Sequence, residues 1–151
     1  MADGNEMILH PICTYRTFHD TKFAALITTK AASSIYLLDD DPSVLKATER
    51  LLASEGWRVE KFTSPHVFLH HVKNAHPRVA VIDMWMPNLN GLEVQKRLTE
   101  LSPETRVIVL TANGDGAVRL TALAAGAVAF FIKPARSTEF VASVRSAFAA
   151  S

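Results

Sequence analysis

The stretch AVIDMWMPNLNG, from Ala80 to Gly91, places a single carboxylate at the end of an apolar run. The run begins at Val79, and its acid, Asp83, is followed by a tryptophan, a proline and a polar turn that ends in glycine. A short continuous apolar run bounded by turn residues is typical of a strand buried on both faces of a sheet. A carboxylate directly after such a strand costs desolvation energy, which indicates that it stands at the rim of the sheet for a chemical reason.

The alternation of strand and helix recurs five times in residues 34–150. Apolar or alternating runs predict the strands, and apolar residues at helical spacing predict the helices between them. Apolar strands that alternate with helices form a parallel sheet with helices on both faces, so the sequence predicts an α/β fold with a doubly wound five-stranded sheet. The predicted strands are Ile35–Asp39, Trp57–Phe62, Arg78–Asp83, Arg106–Thr111 and Ala127–Pro134, and helices are expected over 42–55, 65–74, 91–101, 117–125 and 140–148.

Composition and charge favour a globular domain in a reducing compartment. The 151 residues are 48% hydrophobic and 21% charged, and the formal net charge of +1 predicts neither a nucleic-acid binder nor a membrane-surface protein. The single cysteine, Cys13, excludes a disulfide framework and a thiolate zinc site. No apolar run approaches the roughly 20 residues of a membrane helix, and the N-terminus lacks the pattern of a secretory signal. A cytoplasmic protein is therefore expected.

Residues 1–33 differ from the rest because no helix or strand period emerges there. We expect a poorly ordered N-terminal extension, or a start codon placed too early. A short helix in Thr21–Thr29 is a weaker interpretation. Residues 34–151 are expected to form the folded domain.

Polar side chains follow four strands of the predicted sheet. Parallel strands point the same way, so their carboxyl ends share one edge, and ligands of such folds bind in the crevice beyond that edge. The residues at those ends are carboxylates, a hydroxyl and an ammonium: Asp39, Asp40 and Asp41 after the first strand, Asp83 after the third, Thr111 on the fourth and Lys133 on the fifth.

The chemistry of this group points to phosphoryl transfer. Carboxylates a few ångströms apart cannot all ionise freely, so they share protons or recruit a cation. Hard oxygen ligands at a wet rim suit Mg²⁺, which binds through one or two carboxylates and phosphate oxygens. A carboxylate beside Mg²⁺ can attack a phosphoryl group and form an aspartyl phosphate. Lys133 would then pair with the new charge, and the Thr111 hydroxyl could donate to a phosphoryl oxygen.

Residues 34–150 resemble the receiver domain of two-component response regulators. The resemblance rests on four motifs in order, each weak alone and specific together on five β/α units. The motifs are LLDDDPSV at Leu37–Val44, VIDMWMPNLNGLEV at Val81–Val94, VIVLTA at Val107–Ala112 and GAVAFFIKP at Gly126–Pro134. The resemblance implies a flavodoxin-like (β/α)5 fold with the sheet order 2-1-3-4-5.

The resemblance also implies roles for the acids and for the loop after the third strand. Asp83 matches the phosphoacceptor. Asp39 and Asp40 match the acidic pair that holds Mg²⁺, Asp40 directly and Asp39 largely through water. Trp85 matches the position whose backbone carbonyl completes the metal shell. Pro87 and the turn after it would then stiffen the loop that presents this carbonyl.

Three further positions match the switch residues of the family. Thr111 and Lys133 match the switch hydroxyl and the phosphate-pairing lysine, and Phe130 matches the aromatic switch residue. When the phosphoryl charge draws Thr111 toward it, Phe130 is expected to rotate into the space on the inner side of Thr111. That rotation would reshape the face built from the last two helices and the last strand.

Partners follow from the same resemblance. The expected phosphoryl donor is a sensor histidine kinase or a histidine phosphotransfer protein. The reshaped face is a candidate surface for a homodimer. The chain is expected to be a signalling switch and not a metabolic enzyme, with no membrane attachment and no direct binding of nucleic acid. Because the chain ends just after the last helix, it is expected to be either a single-domain regulator that acts by protein contact or a fragment of a longer one.

Several of these residues also have a plainer interpretation. Asp41 is expected to cap the helix that Pro42 opens, and capping is an alternative role for its acidic neighbours. Phe130 is equally well explained as a core residue. Trp85 is either an exposed apolar residue or, as a hypothesis, a shield that keeps water from the acyl phosphate and lengthens its life.

Histidines cluster after Pro65. His66 and His70 lie one helical turn apart, a spacing that suits a metal ion, but no matching cysteine or third ligand is evident. A solvated helix face is therefore the expected environment of these residues: His66, His70, His71 and His76.

Two other functions stay open at this point. Asp39–Ser43 nearly fits the start of haloacid-dehalogenase-type phosphatases, which also use a strand-end aspartate and a lysine. That family needs paired acids after the lysine, whereas Glu139 alone follows Lys133 here. The second alternative is an unphosphorylated receiver used as a binding module, and the complete set of acids, threonine and lysine argues against it.

Overall fold

The computed structural model describes residues 34–135 and 138–150, so the interpretations made for residues 1–33 lie outside the described residues. Strands and helices alternate five times along this part of the chain. None of the described helices combines the length and the apolar character needed to cross a membrane. The strands are β1 (Ser34–Leu38), β2 (Arg58–Phe62), β3 (Val79–Ile82), β4 (Arg106–Thr111) and β5 (Ala129–Ile132). The helices are α1 (Pro42–Ser54), α2 (Pro65–Ala75), α3 (Gly91–Leu101), α4 (Gly116–Ala124) and α5 (Thr138–Ala149).

The five strands form one parallel sheet in the order β2-β1-β3-β4-β5. This order confirms the predicted flavodoxin-like (β/α)5 arrangement. The chain changes direction across the sheet between β1 and β3, which pair directly through residues such as Leu38 and Ile82. A crevice is expected at the carboxyl ends of the strands on either side of that change.

Two apolar cores cover the two faces of the sheet. Every residue of β1 and β3 is buried, whereas β2 lies at an edge and is mostly exposed. Successive side chains of a strand point to opposite faces. Leu38 and Ile82 therefore belong to one core and Leu37 and Val81 to the other. The first core is closed by residues of α2, α3 and α4, and the second by residues of α1 and α5.

Side-chain caps fix where several helices begin. Asp41 accepts a hydrogen bond from the Ser43 amide at 2.8 Å, which confirms its predicted role as the cap of α1. Asn90 caps α3 by accepting from the Glu93 amide at 2.9 Å. A helix that follows a parallel strand starts at the carboxyl end of that strand, so these helix N-termini face the rim. The helix dipole then favours negative charge at this edge of the sheet.

The last strand is shorter than predicted. β5 ends at Ile132, so Lys133 and Pro134 follow the strand instead of belonging to it. At the other end, the Ala127 amide donates to the Ala122 carbonyl at 3.1 Å and so belongs to the end of α4. The predicted strand was too long because the apolar residues that follow the helix cap fit the same sequence pattern as a buried strand.

Helix α4 is lightly anchored. Of its nine described residues, Ala122 alone is buried. The helix ends in the motif that favours a glycine with positive φ: Gly126 has φ 102° and donates to the Leu123 carbonyl at 3.0 Å. A helix with so few buried apolar contacts belongs to the less stable part of a fold.

Candidate functional site

The strand ends bring the predicted residues to one rim. The Asp83 amide donates to the Leu38 carbonyl at 3.0 Å, which fixes the residue after β3 beside the end of β1. The Lys133 amide donates to the Thr111 carbonyl at 2.8 Å, which fixes the residue after β5 beside the end of β4. The backbone pairing of neighbouring strands therefore positions the acids and the lysine.

Three carboxylates form a cluster at this rim. Asp39, Asp40 and Asp83 each offer an oxygen, and these oxygens lie within 4.8 Å of one another. Asp39 and Asp83 are 2% and 4% exposed, whereas Asp40 is exposed. Hard oxygen atoms at this spacing, with one side open to solvent, could hold a divalent cation.

Lys133 lies between the two buried acids. Its Nζ is 2.5 Å from Asp39 Oδ2 and 3.4 Å from Asp83 Oδ2. The shorter distance goes to Asp39, whereas the sequence suggested a role for this lysine beside the phosphoacceptor. The lysine therefore binds the predicted metal-holding acid and the predicted phosphoacceptor at once.

Burial and pairing shift the pKa values at this rim. Burial raises the pKa of Asp39 above its ordinary value, although the hydrogen bond from Lys133 lowers it in part. Burial lowers the pKa of Lys133, but the hydrogen bond and the negative charge of Asp39 and the charge of Asp83 outweigh this effect and raise it overall. The lysine is thus held in its charged form.

The two carboxylate oxygens of Asp83 differ in their contacts. Asp83 Oδ1 is buried and has no hydrogen-bond donor among the described residues. By comparison, Asp39 Oδ1 accepts from the Asp41 amide at 2.9 Å. A buried carboxylate oxygen without a donor is costly, so it is suited to a cation or to a reacting group.

The loop after Asp83 is held close to the start of α3. The Gly91 amide donates to the Met84 carbonyl at 3.0 Å. A side chain at position 91 would collide with the Asp83 carbonyl and with Met84 Cα, which only a glycine avoids. Trp85 follows in this loop, and its side chain is 55% exposed.

Thr111 and Phe130 are both buried. Thr111 is the last residue of β4, and its Oγ1 accepts from the Asn113 amide at 3.4 Å. Phe130 belongs to the core under α4, and the Arg119 guanidinium lies 5.8 Å from its ring centroid. The buried ring agrees with the interpretation of Phe130 as a core residue. Its rotation toward Thr111 after phosphorylation stays a prediction.

The histidines of α2 do not belong to the carboxylate cluster, which consists of aspartates in the described part of the chain. His66, His70 and His71 are exposed on α2, and the His71 ring lies 5.2 Å from the Phe62 ring. His76 forms the left-handed end of α2, with φ 46°, and its Nδ1 lies 3.3 Å from Ser102 Oγ.

Sequence reasoning missed several buried polar residues, among them Gln95 on α3. Its side chain is fully buried and contacts α4. The available signal was its position three residues before Leu98, which places it on the apolar face of the helix.

Comparisons with known proteins agree with this geometry. The sequence profile of the family described as the response regulator receiver domain matches residues 35–145. The response regulator protein TodT of Pseudomonas putida is 41% identical over 116 residues, which cover 77% of this chain and 51% of TodT. The chain thus spans about half the length of TodT and of a second curated relative, the response regulator protein TmoT of Ectopseudomonas mendocina.

Solved structures share the fold. The beryllofluoride-activated receiver domain of DrrB is 31% identical, has a TM-score of 0.69 and is matched over 78% of this chain and 98% of its own. A CheY-like receiver domain protein from Methanospirillum hungatei JF-1 has a TM-score of 0.73 over 78% of this chain and 94% of its own. At 24% identity, this second likeness shows the fold alone.

The Lys133→Met variant should lose stability in a pH-dependent way. At about pH 7 in metal-free buffer it leaves two buried carboxylates without a cation, and breaking such a pair costs about 3 kcal/mol. The folded-state pKa of Asp39 is already raised, so the folded form holds a proton more tightly than the unfolded form. Lowering the pH toward the carboxyl range should therefore recover much of the loss. Urea unfolding at several pH values measures it.

The control is Lys61→Met, which removes an exposed ion pair with Glu49. This variant should change the free energy of unfolding by less than about 1 kcal/mol at every pH. If the stability lost in Lys133→Met stayed constant as the pH falls, the loss could not come from unpaired charge on Asp39 and Asp83.

Proposed function

This chain belongs to the family of response regulator receiver domains, and we propose that it acts as a phosphoacceptor switch of a two-component system. Asp83 takes a phosphoryl group from a phosphohistidine donor in a Mg²⁺-dependent reaction, and the change alters a partner-binding face. The observation that carries the proposal is the contact of Lys133 with both Asp39 and Asp83 inside a cluster of three carboxylates.

The acid cluster fits a divalent cation. Its members are oxygen donors, one is exposed and open to water, and Asp83 Oδ1 is a buried acceptor without a protein donor in the described part of the chain. Asp39, Asp40, Asp83 and the backbone carbonyl of Trp85 would hold Mg²⁺. When bound, the ion supplies positive charge that offsets the negative charge of the carboxylates and of the transferred phosphoryl group.

The transfer itself requires little from the protein beyond position and charge. A carboxylate oxygen of Asp83 forms a bond to phosphorus while the bond from phosphorus to the donor imidazole nitrogen breaks. The electron pair of that bond stays on the imidazole, which then takes up a proton from water. Lys133 pairs with the negative charge on the phosphoryl oxygens, and the Thr111 hydroxyl donates to one of them.

Phosphorylation then shifts a pre-existing equilibrium. The phosphoryl group carries about −1.5 to −2 charges and replaces the charge of about −1 on the Asp83 carboxylate, so it adds up to about one negative charge beside Lys133, which is already shared between two acids. Thr111 lies at the end of β4, directly before the loop that leads into the lightly anchored α4. Phe130 is buried beneath the Arg119 guanidinium. The proposed change is a rotation of this ring into the space that opens beside Thr111, together with a movement of α4 and of its Arg119.

The partner-binding face lies on α4, β5 and α5. Large apolar side chains are exposed there, among them Leu120 at 70% and Ile132 at 57%. Large apolar side chains exposed on neighbouring elements are the groups that such a face would use to contact a partner. A homodimer through this face is one use of it. The phosphoryl donor is a sensor histidine kinase or a histidine phosphotransfer protein, as the family membership implies.

The remaining features of the proposal follow from the family and the composition. Residues 34–151 form the receiver domain, and residues 1–33 are an N-terminal extension. The chain acts in the cytoplasm, binds no nucleic acid directly and catalyses only its own phosphorylation and dephosphorylation.

Asp83→Asn should abolish phosphorylation. With acetyl phosphate and Mg²⁺, the wild-type chain should gain a single phosphoryl adduct by intact mass, because one carboxylate is the nucleophile. The variant should gain none. Asp41→Asn is the matched control, since Asp41 is an exposed helix cap and asparagine caps as well as aspartate; it should keep the adduct.

An adduct on Asp83→Asn, or none on the wild type, would contradict the proposed phosphoacceptor. The same samples separate the alternatives. Sustained turnover of a small phosphate ester would favour a phosphatase of the haloacid-dehalogenase type. A wild type that stays unmodified with acetyl phosphate and with a phosphohistidine donor would favour a binding module.

Trp85→Asn should shorten the life of the acyl phosphate. The exposed indole lies in the loop directly after Asp83, and a smaller polar side chain admits water more easily. Removing a shield worth about 1 kcal/mol of the barrier would speed hydrolysis about fivefold. Loss of the adduct is timed by mass after the donor is removed. Val67→Asn, which replaces an exposed apolar residue on α2, should leave the rate unchanged; an unchanged rate in Trp85→Asn would rule out the shield.

A further inference from the structure

A buried amide lies between α3 and α4. Gln95, the only glutamine of the chain, has 0% exposure on a helix face whose other buried members are Gly91, Val94 and Leu98. Its backbone carbonyl accepts from Thr99 Oγ1 at 3.0 Å within the same helix. Buried polar side chains are normally fully hydrogen-bonded, so an amide in this position calls for a complete account of its donors and acceptors.

The amide nitrogen contacts the end of α4. Gln95 Nε2 donates to the Ala122 carbonyl at 3.0 Å. That carbonyl also accepts from the Ala127 amide at 3.1 Å, as part of the cap at Gly126 that ends the helix. The Ala122 carbonyl would therefore stay paired without Gln95, and the side-chain bond is an addition to a complete cap.

The amide oxygen has no such partner. Gln95 Oε1 is buried and has no hydrogen-bond donor among the described residues. The contact of Nε2 with a carbonyl fixes the orientation of the amide, because exchanging its two ends would bring two acceptors together. Leaving a buried acceptor unpaired costs more than a single neutral hydrogen bond contributes. Relative to an apolar side chain of the same length, Gln95 therefore opposes the arrangement of α4 seen here.

The unpaired oxygen destabilises the docking of α4, a helix with few buried apolar contacts. Ala122 is the buried residue of α4, and Val118 is partly buried beside it. A movement of α4 away from α3 would expose Oε1 to water or to a new donor. Such a movement would break few apolar contacts.

We propose that Gln95 is a positioning residue for α4. Its unpaired side-chain carbonyl oxygen destabilises the docked arrangement of this helix and so favours its movement. In the unphosphorylated protein it raises the population in which the end of α4 is open. In the signalling reaction, which rests on the proposed function, phosphorylation selects that population, and Gln95 lowers the free energy that the phosphoryl group must supply.

Hydrogen exchange tests the first step on the unphosphorylated chain. Gln95→Met keeps the length of the side chain and removes both polar groups. The amides of Ala125, Gly126 and Ala127, which end α4, should exchange about fivefold more slowly in the variant. Gln95→Leu is the second variant and should act in the same direction. Leu98→Met, a buried apolar exchange on the same helix face, is the control and should not slow these amides.

A beryllofluoride titration tests the second step, because beryllofluoride with Mg²⁺ mimics the phosphoryl group. If Gln95 favours the arrangement that phosphorylation selects, Gln95→Met should weaken beryllofluoride binding about fivefold, and Leu98→Met should not.

Slower exchange with unchanged binding would mean that the amide of Gln95 affects the stability of α4 alone, and would overturn its role in switching. Unchanged or faster exchange in Gln95→Met and Gln95→Leu would overturn the inference outright. A wild type that does not bind beryllofluoride would count against the proposed function, and the exchange rates would still decide the effect of Gln95 on α4.

Discussion

The ion contacts of Lys133 with Asp39 and Asp83 are the constraint on which the rim of the sheet depends. Both acids are almost completely buried, and a buried carboxylate is stable only with a partner. One ammonium cannot neutralise two carboxylates, and Asp40 adds a third within 4.8 Å. The folded chain therefore holds an excess of negative charge at a single point, which is the condition under which a site recruits a divalent cation.

The order of the strands makes this arrangement necessary. Asp39 and Asp83 follow neighbouring strands, but Lys133 follows β5, and β4 lies between it and β3. Strands two places apart in a sheet are separated by roughly 10 Å, so a long flexible side chain is needed to reach across the end of β4. Thr111 is the residue that lies buried at that end. A charge added at Asp83 would therefore act on Lys133 and on the last residue of β4. The loop that follows this residue would carry the effect to α4.

Much of this could be predicted from the sequence. Acids directly after buried apolar runs identified the strand ends, the parallel-sheet rule brought them to one edge, and Asp41 was recognised as a cap. What failed depends on distances between elements. The sequence could not show that Lys133 lies closest to Asp39, because side-chain reach across β4 is set by the folded sheet. Phe130 lies in the core under Arg119, as one of its two sequence interpretations predicted, but no sequence pattern indicates the contact with Arg119. Gln95 lay on an apolar face whose contact with α4 no periodicity reveals.

Whether the carboxylates at the rim share a cation is decided by thermal unfolding with and without millimolar Mg²⁺, on the wild type and on Asp40→Asn. An ion that binds the folded carboxylates and not the unfolded chain raises the melting temperature. A cation shared by the three carboxylates should give a clear rise for the wild type and little or none for Asp40→Asn, whose exposed side chain leaves the core untouched. No rise in the wild type, or an equal rise in the variant, would contradict a shared cation site at the rim.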